Sequence, residues 1–583
     1  VVDPRTRASM EFFKMSDSDH VRILSRRDIV KVASATGVAA LAGTSVAEAA
    51  PPPPKKWDQE ADVVVVGYGG AGACAAIAAA DAGASVLLLE KQTQAKHYPN
   101  SRMAGGIFHS PQPDGNRAAL KEYAKAMMSG ENIPGKLEGE QPEVSDELAE
   151  IYSRRAPDNA PFLQSLDPDF KTARLAGASF PTFPGAKEAG YRTYFATYTG
   201  KADFNVPSLN KPKQEKMNGE AFFTCLTVGV SKRNNIRALF ETPASRLVTD
   251  DKGEVIGVIA KQGDKEIAVK AKRAVVLTSG GYEYNMAMRK AFLEGPGVDG
   301  WAFYGTTYNT GDGIEMALGV GAGLMKAGKA ASRIITAVPI RVNGLRIGLI
   351  TDSVGSPNSL VVDNHGKRYA SETLVTVDPS RYFFYKAAVQ FDIQKLDYPR
   401  SPSWMIFDEK LRKEKCITFR GISTAAYGFV PWGQDNLDAI ERGWILKGDT
   451  FEELAAKIKA HTDNRKLFDE AAFVETMRKF NGYCTASKDE EFGRKLDPTG
   501  VIDKPPYYAL PLYAGGPNTK GGISANGQRE VLNWSGKPIP RLYTAGEISS
   551  AFKFVYQGGG NLTECITFGR VAGENAAKLK PWS

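Results

Sequence analysis

An α/β fold built on a parallel sheet is what this sequence predicts, on three observations. A β-branched run, Ala61–Val66, leads directly into clustered glycines and an Ala-rich helical stretch. A second such run, Ala274–Leu277, also ends in glycines. Far downstream, Arg541–Glu547 precedes a glycine-rich turn and a final helix starting near Leu562.

With 583 residues the chain exceeds the size at which one core stops growing, so several domains are expected. The net charge of +8 is mild, and no basic run interleaved with aromatics follows residue 57, which argues against nucleic-acid binding. No two of the five cysteines form a C-x-x-C, so neither a metal nor a haem site is expected within this polypeptide.

At the front, Ser25-Arg26-Arg27-Asp28-Ile29-Val30-Lys31 has the pattern of a twin-arginine export signal. An apolar Ala/Gly/Thr-rich stretch, Val32–Val46, and an A-x-A site, Ala47–Ala49, follow in the expected order. The apolar stretch is shorter than the ~20 residues a spanning helix needs. Residues 1–50 are therefore set apart as an N-terminal extension and signal, and the expected location is periplasmic and soluble.

Gly67-Tyr68-Gly69-Gly70-Ala71-Gly72 is a G-x-G-x-x-G between a strand and a helix. Its glycines permit a tight turn and close backbone approach to a pyrophosphate, and the helix N-terminus attracts that anion. Glu90 ends the next strand, Ser85–Leu89, where an acid accepts the ribose hydroxyls. An acid there favours FAD or NAD over NADP.

Further motifs stand in order: Ser101–Ile107, a small-residue loop; Thr278-Ser279-Gly280-Gly281; Asn309-Thr310-Gly311-Asp312-Gly313; and Glu547 before Gly558-Gly559-Gly560-Asn561. On these the chain resembles the flavoprotein superfamily of fumarate reductase, urocanate reductase and 3-ketosteroid Δ1-dehydrogenase. The resemblance implies FAD, a Rossmann-like FAD-binding domain and an inserted capping domain. It places Glu90 and Lys91 at the adenosine ribose, and Ser101, Ala104, Gly105 and Gly106 along the pyrophosphate and flavin. Ala244 passes the adenine, Thr278 and Gly280 border the cofactor, Asp312 and Glu547 reach its polar parts, and Asn561 and Leu562 point amides at the flavin pyrimidine. Some members attach flavin through a histidine in the serine-containing loop. Here the loop reads Pro99-Asn100-Ser101-Arg102, with His97 outside the matching position, so FAD is expected to be non-covalent.

The family's grip on a small dicarboxylate is incomplete. Thr376 stands where the branch reducing fumarate has a proton-donating arginine, and Arg381 follows close behind as a displaced candidate. Gln557 replaces the substrate arginine and Asn518 the histidine, while Thr351-Asp352 keeps the threonine–acid pair. Pro506-Tyr507-Tyr508-Ala509, Asn518-Thr519-Lys520-Gly521-Gly522 and Tyr556 resemble the ketosteroid branch instead, which makes Tyr508 and Tyr556 catalytic candidates. Two aromatic runs, Tyr191–Tyr198 and Arg381–Tyr385, suit either a flat apolar pocket or ordinary core, and His109 stands near the flavin loop.

The expected domains are 57–337 and 503–583 for the FAD-binding part and 338–502 for the cap. The cap is expected to carry a strand at Ile340–Ile350, a strand–turn–strand at Val361–Tyr369 and an amphipathic helix at Phe451–Lys459. The expected activity is reduction, or formation, of a C=C bond beside a carbonyl. The expected substrate is an enone or enoate larger and less charged than fumarate, and a separate carrier (a cytochrome or quinone-linked protein) handles the electrons. The alternatives are a ketosteroid-type dehydrogenase and a flavin electron-transfer subunit.

Overall fold

The computed structural model describes residues 52–130, 142–175, 180–199, 216–331, 333–351, 353–375, 380–418, 430, 432–552 and 556–582. The expected export signal lies outside these residues, as do Asp352 and Thr376.

Gln59–Val66 is the central strand of an eight-stranded sheet. It pairs in parallel with Val86–Leu89 on one side and with Lys265–Leu277 on the other. Pro538–Thr544 joins Lys265–Leu277 in parallel, and Ile236–Leu239 joins Val86–Leu89 in the same sense. Val63, Val64 and Val65 have no exposed surface, because both faces of a central parallel strand are covered. The hairpin expected around Gly253 forms from Ala244–Thr249 and Val255–Gln262. Helix Gly70–Asp81 packs against the final helix, Gly560–Lys578, which starts slightly before its expected position. Glycine sets that approach: a Cβ on Gly573 would lie 2.1 Å from the Ala75 carbonyl oxygen.

A second sheet, of seven strands, forms the cap. Its long strand, Tyr507–Gly516, pairs with Arg333–Val342, Ser403–Asp408 and Leu446–Gly448. Trp301–Phe303 pairs with the far end of that strand. The sheet thus reaches beyond the expected 338–502 at both ends, because hydrogen bonding recruits strands from the flanking segments. Helices Phe451–Ala460 and Glu470–Thr485 bury Leu454, Ile458, Phe473 and Met477 against Leu360, Trp404 and Ile406.

Two local expectations are corrected. Ile340–Ile350 is not one strand: Arg333–Val342 turns at Asn343 (φ 51°) and Gly344 (φ 76°) into Leu345–Leu349. Two central residues with positive φ and direct Val342–Leu345 pairing are what a tight hairpin turn needs. Ser359–Val362 is a strand, but no strand follows the Asp363–Gly366 turn. Arg368 leaves the sheet to bond Glu372 and Asp489, both at 2.9 Å, in a buried cluster that Arg494 completes.

The first aromatic run becomes strand Thr193–Tyr198 of a four-stranded sheet, where Tyr198 donates to Asp167. In helix Ser380–Ala388, Phe384 and Tyr385 join the main core. Among the described residues no helix is long and apolar enough to cross a membrane.

Candidate active site

At the carboxyl ends of the parallel strands lies a cleft. Sheets of this kind bind ligands there. Gly67, Gly69, Gly70, Ala71, Glu90, Lys91, Ser101, Ala244, Thr278, Gly280, Asp312 and Glu547 all border it.

The glycine turn is shaped for close approach. Gly67 has φ 102°, and a Cβ there would meet the Thr278 carbonyl oxygen at 2.7 Å. Gly72 does not border the cleft; it seats the helix on the strand, with a virtual Cβ 1.9 Å from the Gly67 carbonyl oxygen. The Thr278 hydroxyl ties the neighbouring strand in by donating to the Val66 and Gly67 carbonyls, each at 2.9 Å. Helix Gly70–Asp81 has neither a side-chain cap nor an acid in its first turn, so its positive end faces the cleft uncompensated. Ser101 accepts the Gly70 N–H at 2.9 Å and fixes the loop above it.

Glu90 is buried, and its carboxylate accepts the backbone N–H groups of Tyr68 (2.9 Å) and Gln92 (2.8 Å). Burial opposes its charge, but His97 and these two donors outweigh burial and hold the carboxyl below the usual range. Lys91 bridges to Asp312 (2.6 Å) and Thr310 (2.7 Å) across the rim.

Glu547 is the acceptor at the centre of a network. It takes hydrogen bonds from Asn100 (3.0 Å), Asn309 (3.2 Å), the Thr519 N–H (3.1 Å) and the Thr519 hydroxyl (3.0 Å). Ala104 and Gly106 lie off the cleft and pack on helix Asn218–Ser231, where Ala104 accepts the Gly219 N–H and Gly106 leaves no room for a Cβ beside Asn218. Gly105 stands between them and does not border the cleft.

Around the start of the final helix, five predicted residues converge. Asn561 donates to Asn518 (2.6 Å) and to the Tyr556 hydroxyl (3.4 Å), and Gln557 is buried and accepts from Tyr123 (2.8 Å). Leu562 is buried on the same turn, and Gly559, the N-cap, has φ 92°. His109 lies beneath, donating through Nε2 to the Gly558 carbonyl at 2.8 Å, with Tyr152 3.4 Å from Nδ1.

Three candidates stand elsewhere. Tyr508 lies in the cap strand, stacked on Phe407, and donates to Glu409 at 2.6 Å. Arg412 chelates the same carboxylate and holds it down at about 2, while burial and that carboxylate push the phenol up. A phenol held this way is poorly placed to release a proton, and none of these neighbours borders the cleft. Thr351 is buried and donates to the Ile417 carbonyl at 2.7 Å. Arg381 is in helix Ser380–Ala388, and its side chain lies outside the description.

Sequence reasoning missed Asn100, Asn309, Thr519 and Glu283 as a network, although three of them stand inside quoted motifs and Glu283 follows the Gly280-Gly281 pair closely. It also missed Lys520, whose ammonium is buried and bonded to Ser550 (2.7 Å) and Glu564 (3.1 Å).

The site fits a dinucleotide with a diphosphate. The glycine cradle has space only for bare backbone, the helix end is uncapped, and a carboxylate stands at the ribose position. The Ser279 hydroxyl on the cleft wall is buried without a protein partner.

Residues 62–562 match the family model described as FAD binding domain. The chain is 28% identical to a probable fumarate reductase, Ifc3, of Shewanella frigidimarina, over 64% of this chain and 55% of that protein. It is 28% identical to a 3-oxosteroid 1-dehydrogenase of Mycolicibacterium smegmatis, over 61% of each chain. The chain thus spans less than two thirds of the length of these relatives. In fold it is similar to 3-ketosteroid Δ1-dehydrogenase from Sterolibacterium denitrificans solved with 1,4-androstadiene-3,17-dione. That likeness has a TM-score of 0.70 at 24% identity and covers 89% of this chain and 99% of that one. With the family model spanning most of the chain and the cleft shaped for its ligand, this protein belongs to the FAD binding domain family, with FAD as its cofactor.

Proposed function

We propose that this chain is a flavin oxidoreductase that adds or removes two hydrogens across a carbon–carbon bond adjacent to a carbonyl. The substrate we assign is larger and less charged than fumarate. The observation carrying this reading is that, among the described residues, the neutral groups Tyr556, Asn518 and Asn561 meet at the start of the final helix, where a dicarboxylate would need cations bonded to it. The nearby ammonium of Lys520 is committed to Glu564 and Ser550. The relatives named as fumarate reductase and 3-oxosteroid 1-dehydrogenase support the reaction class.

Bound FAD, in our reading non-covalent, supplies the hydride-exchanging centre. By accepting the Asn561 amide, the Tyr556 phenol is polarised to donate its own proton toward a substrate carbonyl. Asn518, by accepting from the same amide, fixes its direction. The residues at 25–49 support export by the twin-arginine route to the periplasm, and in our reading a cytochrome or quinone-linked carrier exchanges electrons with the flavin.

The test is anaerobic: protein reduced with dithionite is mixed with candidate acceptors and flavin reoxidation is followed. Fast reoxidation by an enone steroid or aryl enoate, and slow reoxidation by fumarate, is the expected result. Bleaching of oxidised flavin by a saturated ketone, with no enoate reoxidising it, selects the dehydrogenase direction. Fastest reoxidation by fumarate overturns the substrate assignment.

A further inference from the structure

Glu283 has no exposed surface and stands behind Glu547, which borders the cleft. The two carboxylates share their donors. Asn100 donates to Glu283 Oε1 (3.2 Å) and Glu547 Oε2 (3.0 Å), and Asn309 donates to the same two atoms (3.4 and 3.2 Å). Asn100 cannot turn round, because its Oδ1 accepts the Thr306 N–H at 2.6 Å. The other oxygens also converge. A Cβ on Gly281 would lie 2.0 Å from Glu547 Oε1 and 2.8 Å from Glu283 Oε2, and Glu283 Oε2 is buried with no donor.

Among the described residues no cation bonds this pair directly. The Arg289 guanidinium is turned to the carbonyls of Glu283 and Trp301, and Lys520 is paired with Glu564. The remaining ionisable neighbours are Tyr282, Tyr284 and Cys565; burial keeps all three protonated by pushing their values up. Tyr282 donates to the Ala327 carbonyl and Tyr284 to the Phe303 carbonyl. Two buried carboxylates sharing a site, with Arg289 and Lys520 near but bonded elsewhere, do not both ionise.

We propose that the pair holds one proton at neutral pH, carried on Glu283, making Glu283 a positioning residue. Its acid hydrogen keeps Glu547 ionised and turned toward the cleft as an acceptor for FAD. Burial first, and the charge of Glu547 second, push the Glu283 carboxyl well above the usual range. The proposal rests on FAD binding and not on the choice of substrate.

The test uses the full-length holoenzyme, Glu283→Gln and Glu283→Ala. A glutamine keeps a donor where the acid hydrogen was. It is expected to hold FAD within about threefold of wild type, whereas alanine weakens FAD binding about tenfold or more, the equivalent of one hydrogen bond to a charge. At neutral pH the infrared difference spectrum of wild type minus Glu283→Gln is expected to show a protonated-carboxyl C=O stretch that shifts in D2O. Absence of that band, or a glutamine variant that loses FAD as badly as the alanine variant, overturns the proposal. Should Glu283→Ala fail to fold, the infrared band alone decides.

Discussion

The Cα of Gly72 faces the carbonyl oxygen of Gly67 so closely that a single added carbon would fall 1.9 Å from it. Gly72→Ala is therefore expected to destabilise the fold by more than about 3 kcal/mol, since backbone cannot yield as a side chain can. The variant should be purified without yellow colour and melt early. An alanine variant that melts normally and retains FAD would show that the strand and helix can separate.

Glu90→Gln turns an acceptor of two backbone donors into a mixed group that confronts one of them with another donor. FAD affinity should fall by about tenfold or more. Because this carboxyl is held below its ordinary value, its stabilisation is present above about pH 4.3 and is lost as pH falls through the depressed value. Urea midpoints at about pH 5 and pH 3 should drop more steeply in wild type than in the variant. Parallel profiles would refute the assignment.

The opposite sign applies to Glu283. Its raised carboxyl contributes fully below about pH 4.3, where it is protonated whether folded or unfolded, and that contribution is lost as pH rises through the raised value. Wild-type apoprotein should lose melting temperature on the alkaline side, and Glu283→Gln should flatten that limb. If both proteins keep the same alkaline slope, some other group sets it.

Tyr556→Phe and Tyr508→Phe separate two tyrosines that look alike in sequence. The first should lower the rate of flavin reoxidation by substrate by about a hundredfold, the scale of one lost proton donor, with bound FAD unchanged. The second should leave that rate within about twofold and cost about 1 kcal/mol of stability through Glu409. Stopped-flow reoxidation and thermal melts read both; a reversed pattern would move the chemistry to the cap strand.

Arg368→Met should destabilise the cap by about 3–5 kcal/mol, because Glu372 and Asp489 are left with no exposed surface and one fewer cation. The bound-flavin spectrum should not change, since none of these side chains borders the cleft.

What was legible in the sequence was local. The glycine turn, Glu90 and the Gly253 hairpin each need one residue type at one backbone conformation, and such demands show within a few positions. Asn343-Gly344 was equally local, but the apolar run around it hid the turn. The Glu283–Glu547 network draws on Asn100, Asn309 and Thr519 from distant segments, and nothing in any one segment announces the meeting. Tyr508 shows a related limit. Its motif specifies a strand, while what meets its hydroxyl is decided by Glu409, which follows the neighbouring strand.

The cap strand Tyr507–Gly516 runs on towards Thr519, the donor to Glu547. On the way, Gly515 and Gly516 pass beneath the carbonyls of Ala302 and Ala331 so tightly that no side chain fits. Extended backbone does not stretch, and a passage this narrow guides it like a rod in a sleeve. The cap strand and the acceptor that borders the cleft are thus joined by a short stretch of backbone whose path its neighbours fix.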